Sequence, residues 1–367
     1  MTVRESDGGS GFPTGTAQCL TSSRNAAPTW PPVIALMLAV WVSTVAGKET
    51  TCPPKHQAAQ TAAYGCAKAG DLLAVRLGDL HPTQAVLGYL EVYYRLGRYQ
   101  AGKDAINKRF DDWCAANGQG SATAAPANAR LDDPQSFTCA VPVGSETAKT
   151  IEPMKAVVIG PGSMPYLVDG HHTLTSFVES PDGGPNLHVR VKVLENLSGK
   201  KPGPFWTTMK DHGWVWLRDE NGAPMMASQL PTRLVLQEFR NDPYRGLLYF
   251  ARDVAFVQTK DNANYQEFHW GTWLRNNASF RLIAYDLTNL DSILEGEERA
   301  TKLISALKER DTVDGRLTAG ELGRIDYNRE AFEKLTKGYC DDKPGKLAYA
   351  MYYYHNILGR PPKVSCP

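Results

Sequence analysis

The chain has no Cys-x-x-Cys pair, no surplus of charge of one sign, no apolar run of membrane-spanning length and no internal repeat. Without paired cysteines, a zinc ribbon or a thioredoxin-like redox site is excluded. A formal net charge of +1 over 367 residues argues against broad nonspecific binding to nucleic acid, which draws on a basic surface. A local basic groove stays compatible with that balance, so nucleic acid is an open but unfavoured partner. The apolar run from Val33 to Ala46 is 14 residues, broken only by Ser43 and Thr44. A membrane helix needs about 20.

What is present points to a folded, exported protein. Hydrophobic residues make up 42% of the sequence, enough for a substantial core. The length suits one large domain or two small ones. Val33 to Ala46 fits the core of a signal peptide, with small residues at Thr44-Val-Ala46-Gly47 as a cleavage zone. The leader before it carries only Arg4 and Arg24 as positive charges, and an uncleaved membrane anchor through 33–46 is the alternative. If the leader is cleaved, no stable membrane association is expected. Of seven cysteines, Cys19 precedes the run, leaving Cys52, Cys66, Cys114, Cys139, Cys340 and Cys366. An even set in an exported chain implies disulfides, with their pairing open. Asn196-Leu-Ser198 and Asn277-Ala-Ser279 are glycosylation sequons in a secretory compartment.

Periodicity divides the chain into a leader (1–47), a polar segment (48–70), a mixed core (71–200) and a mainly helical region (201–367). Gln84 to Phe110 is expected to be helical, and Asn117 to Asn128 a loop rich in small residues. His188 to Leu194 alternates like a half-buried strand. Lys200-Lys-Pro-Gly-Pro204 is the expected internal break, followed by a hairpin around Asp219–Gly222. Helices are expected over 233–256, 265–285, 290–309 and 330–358, the last interrupted near Pro344.

The densest chemistry lies in Tyr166-Leu-Val-Asp-Gly-His-His-Thr-Leu-Thr-Ser-Phe-Val178. Val157 to Ile159 and Tyr166 to Val168 read as strands around a Pro161-Gly162-Ser163 turn. Leu174, Phe177 and Val178 then fall on one helix face. An acid, a glycine and two histidines therefore stand where a strand ends and a helix begins. Helix starts present free N–H groups and favour anions. Asp169 is either a helix cap or a chemical group, and Gly170 allows a turn or a close approach.

At these residues the chain resembles the ParB/sulfiredoxin superfamily, in its ParB-like nuclease branch. Asp169, Gly170, His171 and His172 are also similar to the motif of the superfamily's free-serine kinases, where Thr173 replaces an arginine. His171 stands where sulfiredoxins have cysteine, so sulfinic acid reduction is not implied. Chromosome-partitioning relatives carry a glutamate and two arginines here, and a helix-turn-helix domain for which this sequence has no clear pattern. Val75-Arg-Leu-Gly-Asp-Leu-His-Pro-Thr-Gln84 resembles the superfamily's first box, although Gln84 cannot act as the base that kinase relatives place near it. Asn241-Asp-Pro-Tyr-Arg245 and Glu267-Phe-His-Trp-Gly-Thr-Trp-Leu-Arg275 resemble later blocks, so the likeness spans about residues 71 to 280.

The resemblance implies an α+β fold: a ParB/sulfiredoxin-like small mixed sheet with helices, followed by a mainly helical C-terminal extension. Asp169, His171 and His172 are the expected catalytic group, with Gly170, Thr173, Gln84, Arg245 and Arg275 as ligand- or phosphate-binding residues. His269, between Phe268 and Trp270, is expected in the core. The implied partner is a nucleotide or a small phosphorylated or hydroxyl compound, with magnesium accompanying the nucleotide; a metal site of the chain itself is not identifiable. Two classes follow: an enzyme of phosphodiester cleavage or phosphoryl transfer, or a secreted binding protein that keeps the pocket without the reaction. On the first, His172→Ala is expected to abolish activity at little cost in stability.

Overall fold

The computed structural model describes residues 64–259, 263–315 and 317–366, all within one compact unit. The apolar run at 33–46, Cys19 and Cys52 lie outside the described residues. Five strands form the central sheet: β1 (Leu72–Arg76), β2 (His81–Pro82), β3 (Ala156–Gly160), β4 (Met164–Leu167) and β5 (His188–Asn196). Their order is β1-β5-β3-β4-β2. β5 pairs antiparallel with β1 and parallel with β3. β3 and β4 make an antiparallel hairpin, and β4 runs parallel to β2.

The sequence of β3, Ala-Val-Val-Ile-Gly, suits a middle strand buried on both faces. Val157 and Ile159 join Val189, Val191 and Val193 of β5 in the main core. Ala156 and Val158 face the opposite side, against Phe205 and Met209. The alternation of side chains along a strand thus lets one strand serve two layers.

Helix α1 (Tyr89–Ala101) joins the two halves of the molecule. Its Val92, Leu96 and Tyr99 enter the sheet's core, while Leu90 and Tyr94 enter a second core with Leu247, Phe250, Trp270 and Ile304. Helix α2 (His171–Glu179) follows β4 and buries Leu174 and Phe177. Each of these side chains contributes about 1.5–3 kcal/mol by leaving water. The second core is helical: α3 (Pro243–Leu248), α4 (Gln266–Asn276), then Leu290–Ser305, Arg329–Leu335 and Lys346–Tyr352. The α+β architecture with a helical C-terminal part is as expected. Among the described residues no helix is long and apolar enough to cross a membrane.

Three expectations of local structure are corrected. The helix expected from Gln84 begins only at Tyr89, because Val86–Leu87 pairs with Arg240–Asn241 in a short parallel bridge. The helix expected over 233–256 shrinks to α3 for the same reason: it starts at Pro243, capped by Asp242, directly after that bridge. At the expected break of Lys200–Pro204 the chain is helical, since Pro202 opens a helix running to Asp211, a position where proline's missing N–H costs nothing.

Cys114 pairs with Cys139 and Cys340 with Cys366, and Cys66 is disulfide-bonded as well. The first bond, between residues 25 apart, ties the α-helix Lys108–Ala116 to the strand Thr138–Cys139. The Asn196 sequon is structurally engaged: its Nδ2 donates to the carbonyls of Gly65 (2.9 Å) and Ala67 (2.7 Å). Replacing Cys114 and Cys139 together by serine is expected to lower the unfolding free energy by about 3 kcal/mol, the chain-entropy value for such a loop. Chemical denaturation measures it, and an unchanged midpoint would contradict the expectation.

Candidate active site

The end of β4, the start of α2 and one face of β5 meet at a cavity of about 720 Å³. The N-cap of α2 is Gly170, at φ 94° and with no side-chain cap, so Asp169 does not cap the helix. The backbone favours glycine at position 170, and any side chain there would displace the Lys155 chain. Gly170 is in the left-handed region, and a Cβ there would lie 2.3 Å from Cδ of Lys155. The result is an open helix start, flanked by the Lys155 chain, facing the cavity.

Asp169 itself is exposed within this concave site. Enclosure by protein pushes its carboxyl up, but Lys155, the Gly170 N–H and Arg252 outweigh that and hold it below the usual range. It is therefore an ionised carboxylate at neutral pH. Lys192 lies on the neighbouring β5 and also senses Asp169. Its Nζ donates to the carbonyl of Glu152 at 3.1 Å. In all, six cationic and four acidic residues line the cavity, which leaves it with a positive surplus.

The two histidines do a different job from the one expected of them. Thr83 N–H donates to Nε2 of His171 at 3.0 Å, and Gly88 N–H donates to Nε2 of His172 at 3.0 Å. A ring nitrogen that accepts a hydrogen bond carries no proton, so in each neutral ring the proton is on Nδ1. Burial pushes His171 down to about 3, against the pull of Asp169 and with help from Arg245. Burial and then Arg245 hold His172 far below its usual range as well, against Glu91. Neither Nε2 can take a proton without releasing a backbone N–H. In this arrangement both rings are neutral clamps that fasten residues 83–88 to the start of α2.

Behind His172 lies a chain of buried charges. Arg95 donates to Oε1 of Glu91 at 2.8 Å, and Arg245 meets Oε2 of Glu91 at 2.7 Å. That second contact is an ion pair whose angle falls outside hydrogen-bond geometry. Arg245 also lies 3.9 Å from Glu267, which pairs with Arg252. His172 Nδ1 stands 3.8 Å from Glu91 and 3.3 Å from the Arg245 guanidinium. With its proton on Nδ1, the ring stands beyond hydrogen-bond reach of Glu91 and turns a donor toward the Arg245 guanidinium without a bond to it. Burial pushes Glu91 up, but Arg245, Arg95 and Arg252 together hold it well below the usual carboxylate range.

The remaining expected residues separate into two groups. Gln84, Thr173 and Arg245 line the cavity with Asp169, Gly170, His171 and His172. Gln84 spends its Nε2 on the carbonyl of Val86, at 2.7 Å. Arg275 is not brought into the cavity: it donates to Asp242 at 2.9 Å and to the Glu220 carbonyl at 3.1 Å, and lies over the Tyr244 ring. Its expected ligand contact is corrected to a structural one. His269 pairs with Asp314 at 2.8 Å and is only partly buried. Sequence reasoning missed Glu91, Arg252 and Glu267, as well as Lys155 and Lys192. The two lysines did carry a signal, since each interrupts or adjoins an apolar strand. Among the described residues no group of three or more His, Cys, Asp or Glu side chains could hold a metal ion.

A family model described as "Putative ParB-like nuclease" matches residues 73–276, more than half of the chain, and the chain belongs to that family. No curated protein matches the sequence. Among solved structures the chain is similar to protein Atu1540 from Agrobacterium tumefaciens, at 19% identity, over 67% of this chain and 97% of that one. The TM-score is 0.43.

Two outcomes follow from the clamp. His172→Ala strands a buried N–H and opens a hole beside Glu91, so it is expected to cost roughly 2–4 kcal/mol of stability. Denaturant unfolding reads this; an undiminished midpoint would restore the purely catalytic role. Because the folded value of His171 lies below its ordinary 6.5, its ring adds no pH dependence above that value. As pH falls below 6.5, the unfolded chain gains a proton that the folded chain refuses, and stability drops by up to about 1.4 kcal/mol per pH unit. Between pH 6.5 and 5, His171→Asn should therefore show a shallower acid loss than the wild type by about that slope, and parallel profiles would contradict the assignment.

Proposed function

We propose that the cavity binds the phosphate of a small phosphorylated compound or nucleotide at the start of α2, and that Asp169 orients an oxygen nucleophile for attack at phosphorus. Water as the nucleophile breaks one P–O ester bond of a phosphodiester and releases an alcohol and a phosphomonoester; a small hydroxyl compound instead takes the terminal phosphoryl group of a nucleoside triphosphate, loses its hydroxyl proton and releases the diphosphate. The observation that carries this reading is the open helix start beside Lys155 and Lys192, with an exposed, ionised Asp169 in the same cavity. The free N–H groups of the helix and the two ammonium groups neutralise phosphate charge. His171 contributes Nδ1–H as a neutral donor within the cavity, and Arg245 supplies the positive field that Thr173 lacks.

Asp169 has the character of an orienting group or a hydroxyl-proton acceptor, since an ionised carboxylate of depressed pKa is a poor general acid. Glu91 and Glu267 are already matched by arginines, so they are not free for this task. A magnesium ion fits the donor set as a companion of the ligand's phosphates, with Asp169 as its one carboxylate. Bound there, it would neutralise charge on the transferring group.

The second reading is a secreted protein that binds the same ligand without reaction. What favours it is the commitment of both histidines and of Gln84 to backbone groups, which leaves no neutral base in the cavity. The disulfides fit an oxidising compartment, and Asn277, half-exposed, is the sequon open to a glycan.

Calorimetric titration of phosphate, ATP, ADP and CTP, with and without magnesium, tests binding; hydrolysis of an activated phosphodiester tests reaction. Lys192→Met is expected to weaken phosphate binding about tenfold, the loss of one charge-assisted contact. Asp169→Asn should abolish turnover while leaving the affinity for metal-free phosphate equal or higher, because it removes a negative charge. Turnover surviving in Asp169→Asn would sink the catalytic assignment, and binding without turnover in the wild type would favour the second reading.

A further inference from the structure

A second cavity, of about 210 Å³, lies in the helical C-terminal part and shares no lining residue with the first. Ala348 and Met351 of the helix Lys346–Tyr352, both buried, form its floor. Leu290, the first residue of the helix Leu290–Ser305, and Tyr339 stand beside them. The facing wall is the C-terminal strap, residues 359–366, which contributes Pro362 and Val364. The strap is fixed along its length. Cys366 is bonded to Cys340. The Asn356 amide brackets Val364: its Nδ2 donates to the Val364 carbonyl at 2.7 Å, and its Oδ1 accepts from the Val364 N–H at 2.8 Å. Nδ1 of His355 meets the Arg360 carbonyl at 2.7 Å. The cavity is therefore built by the fold and is not the gap behind a loose chain end.

The polar side chains around it are already committed. His355 turns its Nε2 to the Thr288 carbonyl at 2.8 Å. Thr288 Oγ1 donates to Asp286 at 2.7 Å, and Asn289 Oδ1 accepts from the Ser292 N–H at 3.0 Å. Asp286, Thr288, Asn289 and Lys363 are exposed, so they stand at the mouth, over an apolar interior. A charged ligand finds no partner on that floor, and burying an unpaired charge is costly. An apolar cavity of about 150 Å³ stays dry and takes a guest the size of benzene. A ring lying on Met351 also gains a sulfur–aromatic contact. We infer that this cavity is a binding site for a small uncharged compound of one ring, with the disulfide-fixed strap as its outer wall. The inference is independent of the phosphate reading of the first cavity.

The test is NMR of the full chain labelled with carbon-13 on the methionine methyls, with Met351 assigned from Met351→Leu. Toluene, phenol and cyclohexanol are the probes, and ribose 5-phosphate is the charged control. At least one uncharged ring is expected to shift the Met351 methyl saturably, and ribose 5-phosphate is expected to leave it in place. Ala348→Leu puts a larger side chain on the floor and should abolish the shift, with the unfolding midpoint reporting that the variant is folded. Cys340→Ser together with Cys366→Ser leaves the floor intact and frees the strap. It should weaken the same probe, since only the fraction with the strap closed binds. Lys192→Met should respond like the wild type, so the two cavities stand or fall separately. No saturable shift with any of the three rings would overturn the site, as would binding undiminished in Ala348→Leu. A shift with ribose 5-phosphate alone would overturn the ligand class, and unchanged affinity in the double serine variant would overturn the strap as a wall.

Discussion

Two imidazole nitrogens hold the site together. Within the segment from Thr83 to Gly88 only Val86–Leu87 pairs in a sheet, with Arg240–Asn241, so the buried N–H groups of Thr83 and Gly88 fall outside that ladder. Buried N–H groups must nonetheless be paired. Nε2 of His171 takes the one from Thr83, and Nε2 of His172 takes the one from Gly88. Those bonds fasten the sheet's edge and the first residues before α1 to the first turn of α2. Close approach of Gly88 to Gly246 then sets α3, and with it Arg245, against the same turn: a Cβ on Gly88 would fall 2.4 Å from Cα of Gly246.

The buried charges follow from that geometry. α1 carries Glu91 and Arg95, α3 carries Arg245, and α4 carries Glu267, so three helices from both halves of the protein bring charges to one place. Burying charges is costly, and removing one partner from such a set costs about 3–5 kcal/mol. Alternation of sign along the chain of residues limits the cost, with three arginines against two glutamates. The excess positive charge disfavours protonation of His171 and His172, keeping the clamps neutral, and adds to the attraction of the cavity for anions. Clamp and anion site are in this sense one electrostatic arrangement.

Much of this was legible in the sequence. The strand-turn-strand-helix order around Asp169 could be read from apolar spacing, and the family from four ordered blocks. The grouping of Gln84, Asp169, His171, His172 and Arg245 in one cavity agrees with the motif order. What the sequence could not supply was the partner of each polar group. Two adjacent histidines beside an acid look like acid–base chemistry, and only three-dimensional contact reveals that backbone N–H groups occupy both Nε2 atoms. Arg275 shares a block with Glu267, yet lies on α4 where its reach ends at Asp242 rather than in the cavity. Helix lengths over 84–110 and 233–256 were overestimated because the Val86–Leu87 and Arg240–Asn241 bridge is a nonlocal pairing with no local signature.

The most direct measurement is of the histidine rings themselves. Nitrogen-15 NMR of histidine-labelled protein, assigned with His171 and His172 variants, reports tautomer and charge together. The account predicts that both rings hold the proton on Nδ1, with Nε2 unprotonated, and that they stay neutral when the pH is lowered from 7 to 5. Titration of either ring near its ordinary value of 6.5, or a proton found on Nε2, would contradict it.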